Sequence, residues 1–324
     1  MKQDNRLLQR LTIFVLAFLI IILFSCRSTQ DSSDSKVVID KGFLSVLPID
    51  EENFNFFSNL GHMSQPGHIF PSSHGGFVLT DHMIPVPVFS PADMTITRVV
   101  ELEHVNKGYS DYGLTLSVND DEFQIVLGHM SQIHQSIIDR ANSFNDIECE
   151  TYTTSGDTYY YCLRWTNIPI FAGDTLGQVG GNPGQLGLDF GIFDKNRKIE
   201  FATDRFDEYL YPFAVSPLDY FTDEISKILI PQCGDSFHGI STVRTKEPIG
   251  GTINYDVKGT AQGIWFKESA PFSPEDPHIA LVYHNVDPDI PIFSIGNSIR
   301  GLIPGPYTFA RKEIGYVDRA FDDV

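Results

Sequence analysis

The chain has 324 residues, enough for one large domain or two of ordinary size, and 42% of them are hydrophobic, as in a globular protein. Its many aromatic and β-branched residues favour strands over helices. With 42 acidic against 23 basic residues, the net charge of −19 would repel a phosphate backbone, which excludes nucleic acid as a partner.

The N-terminus has the pattern of an export signal. Three basic residues precede the apolar run of residues 11–24: Lys2, Arg6 and Arg10. This run is shorter than the ~20 residues that a membrane-spanning helix needs, so it indicates a secretory signal. An uncleaved anchor helix is the alternative, and both readings place the body of the protein outside the cytoplasm.

The end of this run, Leu-Phe-Ser-Cys at residues 23–26, resembles the bacterial lipobox. The resemblance implies a lipoprotein signal peptide over residues 1–25, which is cleaved before Cys26. Cys26 would then carry a lipid and anchor the protein to a membrane of the bacterial cell envelope. Residues 26–40, rich in Ser and Asp, are expected to form a tether.

Export permits disulfides, and two cysteines have a suitable setting. Cys149 and Cys162 flank a segment rich in Tyr and Thr, with the turn signal Ser-Gly-Asp at residues 155–157 in its middle. We expect a disulfide across a β-hairpin, which leaves Cys233 free. A zinc site is the alternative for the pair, but no CxxC spacing accompanies it.

The remaining chain predicts two β-rich domains. Short strand-like segments separated by turn residues run from residue 85 to residue 194 and predict an antiparallel sheet, with one helix over residues 131–142. A helical exit over residues 223–231 would end the first domain, which we place at residues 41–230. Further strand-like segments over residues 231–324 predict a C-terminal β-sandwich or barrel.

The hexapeptide LGHMSQ occurs twice, at residues 60–65 and 127–132, and the order of the surrounding motifs explains the second copy. PVFSPADMTITRVVE, a Tyr-Gly-Leu strand, VLGHMSQI and IPIFAGDTLGQVGGNPGQLGLDFGIFD follow one another. This order resembles the lysostaphin-type zinc endopeptidases, which have the duplicated hybrid motif fold. The resemblance covers residues 74–194 and implies a lysostaphin-type antiparallel β-sheet domain at the N-terminal side of a mostly β protein.

The resemblance also implies a site. In that family two histidines and an aspartate bind zinc, and two further histidines handle protons while a wall peptide is cut. Here His74 matches the first metal ligand, His129 a catalytic histidine, and Asp189 the position of the second metal-binding histidine. Val78 and Gly187 stand where the family has its aspartate ligand and its other catalytic histidine. The groups that remain predict a weak zinc site or none.

Four functions are compatible with this pattern. A catalytically degenerate domain would bind cell-wall peptide or regulate wall hydrolysis through another envelope protein. An active metal-dependent endopeptidase would use a rearranged site of His74, His129 and Asp189, with His68 or His82 as a replacement ligand. Alternatively, the sheet of an envelope protein only supports the C-terminal domain, or the protein has an unrelated binding function. For His129 itself, an ordinary buried histidine is the alternative to a site residue. In each case, a carboxylate such as Asp189 on a buried strand needs a cation, a metal or several donors.

Overall fold

The computed structural model describes residues 36–62, 71–154, 157–203, 205–206, 210–237, 240–268, 278–296, 299 and 301–310. Of the described residues, 46% lie in strands and 11% in helices, which confirms a mostly β protein with several antiparallel sheets. The export signal with Cys26, His68, and the expected turn at residues 155–156 lie outside this part of the chain. None of the described helices is long and apolar enough to cross a membrane.

The largest sheet has eleven strands in the described part of the chain. In chain order they are β1 (Phe54–Ser58), β2 (Gly75–Leu79), β3 (Val86–Phe89), β4 (Met94–His104), β5 (Tyr109–Val118), β6 (Phe123–Ile133), β7 (Ile147–Thr154), β8 (Asp157–Ile170), β9 (Thr175–Val179), β10 (Gly187–Asp194) and β11 (Ala214–Val215). Eight of them lie side by side in the order β1-β2-β10-β6-β5-β4-β8-β7. In addition, β11 pairs with β10, and β9 pairs with both β3 and β6.

One face of this sheet lies against the main hydrophobic core. Successive residues of a strand point to opposite faces, so β10 directs Leu188, Phe190 and Ile192 into the core, where all three are buried. Burial of each such side chain stabilises the fold by about 1.5–3 kcal/mol. The alternation also fixes the register, because a slip by one residue would bring Asp189 into the core. We call the opposite side of the sheet, which carries Asp189, the polar face.

The C-terminal part of the chain adds two small sheets. β12 (Gly234–Phe237) and β13 (Ile240–Val243) form a hairpin, and four strands form an antiparallel sheet: β14 (Gly263–Phe266), β15 (His278–Tyr283), β16 (Pro291–Ile295) and β17 (Gly305–Thr308). Ile264, Ala280 and Ile292 of this sheet share a hydrophobic cluster with Phe193 of β10, and therefore pack on one end of the polar face. Residues Val38–Val324 group into one compact unit. The domain boundary at residue 231 stays a prediction.

The first helix, α1 (Gln135–Ala141), is shorter than the expected range of residues 131–142. Residues 131–133 continue β6, because Gln132 and Ile133 are paired with β9. The apolar residues of this segment therefore serve two elements, and α1 buries Ile137 and Ala141 against the sheet.

The second helix, α2 (Asp223–Leu229), begins within the expected range. The side chain of Thr222 accepts a hydrogen bond from the backbone N–H of Ile225 and caps the first turn. Asp223 and Glu224 stand in that turn, where acidic side chains interact favourably with the helix dipole.

β7 and β8 form a long antiparallel hairpin at one edge of the large sheet. Cys149 and Cys162 are partners in its register and are joined by a disulfide. Cys233 is buried and has a free thiol. The hairpin is thus held covalently as well as by its ladder of backbone hydrogen bonds.

Candidate functional site

Neighbouring strands bring His74, His129 and Asp189 together on the polar face. Asp189 lies on β10 between two glycines of the adjacent strands, with Gly76 of β2 and Gly128 of β6 as its register partners. His74 directly precedes β2, and His129 follows Gly128 on β6. The three positions that the resemblance singles out are therefore neighbours in the fold.

A β-bulge aims His129 at its partners. Tyr112 pairs with Met130 and Leu114 with Leu127, so two residues of β6 face the single Gly113 of β5. His129 has a φ of 61°, in the left-handed region. This conformation costs an L-residue roughly 1–2 kcal/mol, and bulges of this kind often redirect a side chain.

The ring of His129 lies between two carboxylates. Its Nδ1 donates a hydrogen bond to Asp111 Oδ2 at 2.9 Å, and its Nε2 lies 3.3 Å from Asp189 Oδ2. On the other side of Asp189, Oδ1 is 3.8 Å from His74 Nδ1. The side chains of His129 and Asp189 are 41% and 33% exposed, so solvent or a ligand can reach both. The expected requirement of Asp189 for a cationic or donor partner is met by the imidazole of His129.

Asp111 was missed by the sequence reasoning. Its side chain is 7% exposed and accepts a second hydrogen bond, from Nε2 of buried Gln185 at 2.7 Å. His104 Nε2 lies 3.5 Å from the same oxygen. Asp111 is thus a buried carboxylate whose donors fix it in place, and it in turn orients His129.

The two carboxylates control the pKa of His129. Burial of the ring acts to lower the pKa, but the charge of Asp189 and the hydrogen bond and charge of Asp111 act to raise it. The carboxylates prevail, and the pKa rises to about 9. At neutral pH the ring is therefore an imidazolium rather than a neutral base.

Two glycines leave room for the site. A Cβ on Gly128 would lie 3.2 Å from the Cβ of Asp189, and one on Gly191 would lie 3.0 Å from the Cβ of His74. Both separations are tighter than ordinary van der Waals contact. The local sequence therefore permits the close approach of His74 and Asp189 because these neighbouring positions lack side chains.

His62, in the first copy of LGHMSQ, also lies near this site, which its sequence context did not indicate. The backbone N–H of Ser72 donates to the carbonyl of His62, and His62 Nε2 is 3.3 Å from Asp235 Oδ2. Burial lowers the pKa of His62, Asp235 opposes that change, and nearby His74 lowers the pKa further. His62 is therefore in electrostatic contact with the site, although no local motif marks its position.

The residues present do not fit the zinc site that the resemblance implies. Within the described ranges, no three His, Cys, Asp or Glu side chains are arranged to hold a metal ion. Val78 and Gly187 are register partners on β2 and β10. Two positions that carry functional groups in the resembled family are therefore adjacent here, and neither has a side chain that can bind a metal or carry a proton. His82 lies in the turn before β3, where its carbonyl accepts a hydrogen bond from Gly181.

No family model, curated protein or solved structure matches this chain. What the site can bind follows from its geometry. That geometry provides two imidazoles and one partly exposed carboxylate beside a buried, fully oriented Asp111. Such a group of side chains can bind a polar ligand by charge-assisted hydrogen bonds.

Proposed function

We propose that this protein is an exported cell-envelope lipoprotein whose large sheet is a catalytically degenerate lysostaphin-type domain. It binds cell-wall peptide on the polar face, or regulates wall hydrolysis through another envelope protein, and it remains at the membrane through the lipid on Cys26. The order of motifs over residues 74–194 supports this proposal, as does the convergence of His74, His129 and Asp189 on adjacent strands.

The direct contact of His129 with both Asp111 and Asp189 carries the proposal. In a hydrolase of this type, a neutral imidazole at the position of His129 would accept and donate a proton, and the side chain at the position of Asp189 would bind the metal. Here the ring of His129 is held between the carboxylates of Asp111 and Asp189, and both carboxylates raise its pKa. Gly187 provides no second proton carrier. The arrangement is therefore suited to holding a ligand rather than to cutting it.

Peptide is the ligand that this surface suits best. The site offers the partly exposed oxygens of Asp189 as acceptors, and a ligand oxygen can share the Nε2–H of His129 with Asp189. A peptide backbone presents both donors and acceptors at regular intervals. The acidic chain does not favour phosphate-bearing polymers. An extended peptide would lie along or across the exposed strands and exchange hydrogen bonds with these side chains.

Retention on insoluble wall sacculi tests the proposal. The full chain in detergent should co-sediment with sacculi, and His129→Ala should weaken retention by roughly tenfold, the effect of losing one or two charge-assisted hydrogen bonds. His134→Ala is the matched control, because His134 is an exposed histidine at the start of α1. Retention no greater than that of an unrelated acidic protein would overturn peptide binding.

An active metal-dependent endopeptidase is the second candidate. The observation in its favour is that His74 and His129 both approach the carboxylate of Asp189, within 3.8 Å and 3.3 Å. It predicts stoichiometric metal in the purified protein and chelator-sensitive dye release from labelled wall material, both abolished by Asp189→Ala. The degenerate domain predicts substoichiometric metal and no dye release, so one metal analysis and one turnover assay separate the two.

A further inference from the structure

We propose that the polar face beyond Asp111 is a docking surface for the ammonium-bearing part of an extended peptide. The surface lies on β4, β5, β7 and β8, and we call it the aromatic wall; its residues are His104, Tyr109, Tyr152, Tyr159, Tyr161 and Trp165. This inference rests on the proposed function, because the wall begins at the site that would hold the peptide.

A row of four rings crosses four strands at one end of the wall. His104 is the register partner of both Tyr109 and Tyr159, and Tyr159 is the partner of Tyr152. Neighbouring ring centroids lie 4.4 Å, 5.0 Å and 5.2 Å apart along the row. Rings in mutual contact form a stiff surface with little side-chain entropy left to lose on binding.

The next row connects the candidate site to the edge of the sheet. Its members, which are register partners in succession, are Asp111, Leu102, Tyr161 and Glu150. Three strand spacings separate Asp111 from Glu150, a distance of ~14 Å, which about four extended residues span. A peptide held at His129 can therefore reach Glu150 without leaving the surface.

The charges that remain on the wall are negative. Glu148 and Glu150 are exposed on β7, and neither forms an ion pair with another described residue within 4.0 Å. Two cations near the wall are already engaged. The guanidinium of Arg98 lies 4.5 Å from the centre of the Trp165 ring and 3.7 Å from Asp121 Oδ2. Lys107, which interacts with Tyr109 and Tyr159, has its Nζ 2.8 Å from Asp157 Oδ2. The wall thus complements a cation rather than an anion.

A buried acceptor at the inner end of the wall also calls for a donor. Gln185 is 6% exposed, and its Nε2 donates to Asp111. Its Oε1 is buried and has no hydrogen-bond partner. A buried acceptor without a partner is unfavourable by about 1–3 kcal/mol, and an N–H donor from a ligand would satisfy it after a small movement of the side chain. Acceptors at both ends therefore favour a ligand rich in N–H groups.

The experiment compares sacculi before and after acetylation with acetic anhydride, which converts free amines into neutral amides. The full chain in detergent should bind untreated sacculi at least roughly fivefold better than acetylated sacculi, because an exposed ammonium–carboxylate contact is weak but additive over two carboxylates. The difference should shrink at high salt, which screens exposed charges.

Variants locate the effect on the wall. The double change Glu148→Gln and Glu150→Gln should lower retention on untreated sacculi to the acetylated level, without a further loss on acetylated sacculi. Glu103→Gln is the matched control, because Glu103 is exposed on β4 but points to the opposite face. Equal retention on both kinds of sacculi would overturn the inference and leave the proposed function standing. Retention on neither would overturn both.

Discussion

Asp111 and His129 form the best-oriented pair of the site, with the imidazole Nδ1 donating to the buried carboxylate at 2.9 Å. The pair depends on the bulge in β6, because a regular strand would direct the side chain that follows Gly128 to the core face. It also depends on Gln185, which holds Asp111 from the other side. The site is thus organised from a buried carboxylate outward.

Removal of the Asp111 charge should change the titration of His129. The pKa of His129 is raised to about 9 in part by the hydrogen bond and charge of Asp111, so Asp111→Asn should lower it toward the ordinary histidine value. NMR titration of the ring protons measures this change. Asp139→Asn, on the exposed surface of α1, is the control and should leave the titration unchanged. An unaltered His129 pKa in Asp111→Asn would contradict the pairing.

The raised pKa of His129 also makes stability depend on pH. The folded-state pKa lies above the unfolded value of 6.5. The contribution of His129 to the free energy of unfolding is therefore fully present below pH 6.5 and is lost as the pH rises through about 9. His62 and His284 have lowered pKa values and act below pH 6.5, so they do not affect this window. Urea unfolding between pH 6.5 and about pH 9 should show a declining free energy of unfolding, and this decline should be smaller in His129→Gln. An equal decline in both proteins would count against the assignment.

Gly191→Ala should destabilise the protein and displace His74. The new methyl would lie 3.0 Å from the Cβ of His74 and 3.2 Å from a ring carbon of Phe193, and overpacking of this kind costs about 1–3 kcal/mol. Urea unfolding gives the change in free energy, and retention on sacculi gives the effect on binding. His74→Gly in the same chain should restore part of the lost stability, because it removes one of the two contacts. Unchanged stability in Gly191→Ala would contradict the prediction, because it would show that His74 and Phe193 move away from the new methyl group without strain.

The mostly β character followed from composition and from alternating apolar residues, because these report which side chains a sheet can bury. The length of α1 did not follow, since residues 131–133 fit a helical period equally well and only pairing with β9 keeps them in β6. Local pattern cannot show which partner a segment will find. Helix boundaries depend on such tertiary contacts.

The candidate site was predicted in part. Motif order pointed to His74, His129 and Asp189, and the strands bring them together. Asp111 was missed because its contact with His129 depends on a bulge, and one extra residue in a strand leaves no mark in the alternation of a sequence. An acidic residue inside a strand with no other charged side chain was the available signal. His62 was missed because the backbone hydrogen bonds of residues 61 and 62 with Ser72, rather than a motif, bring it near His74.

Cys26→Ser should release the protein from the membrane or leave it unprocessed. A lipobox cysteine is the acceptor of the lipid, and serine has no thiol to form the thioether that links it. Fractionation and mass spectrometry of the mature protein check both outcomes. Ser28→Ala, two residues beyond Cys26, is the control and should remain membrane-bound. An unchanged membrane fraction in which Cys26→Ser also keeps the N-terminus and mass of the parent chain, apart from the substitution itself, would contradict the lipid anchor and favour an uncleaved helix.

Cys233 should resist alkylation in the folded protein. Its side chain is fully buried, and burial raises the pKa of the thiol to about 12, against a partial opposing effect of Arg244. Because the thiolate is the nucleophile, iodoacetamide at about pH 8 should leave it unmodified for as long as the fold is intact. The Cys26→Ser chain isolates this thiol, since Cys149 and Cys162 are joined in a disulfide. In urea one equivalent of label should be taken up, and reduction should add two more at Cys149 and Cys162. Rapid labelling of the native chain would mean that the packing between α2 and the large sheet opens far more often than a core position permits.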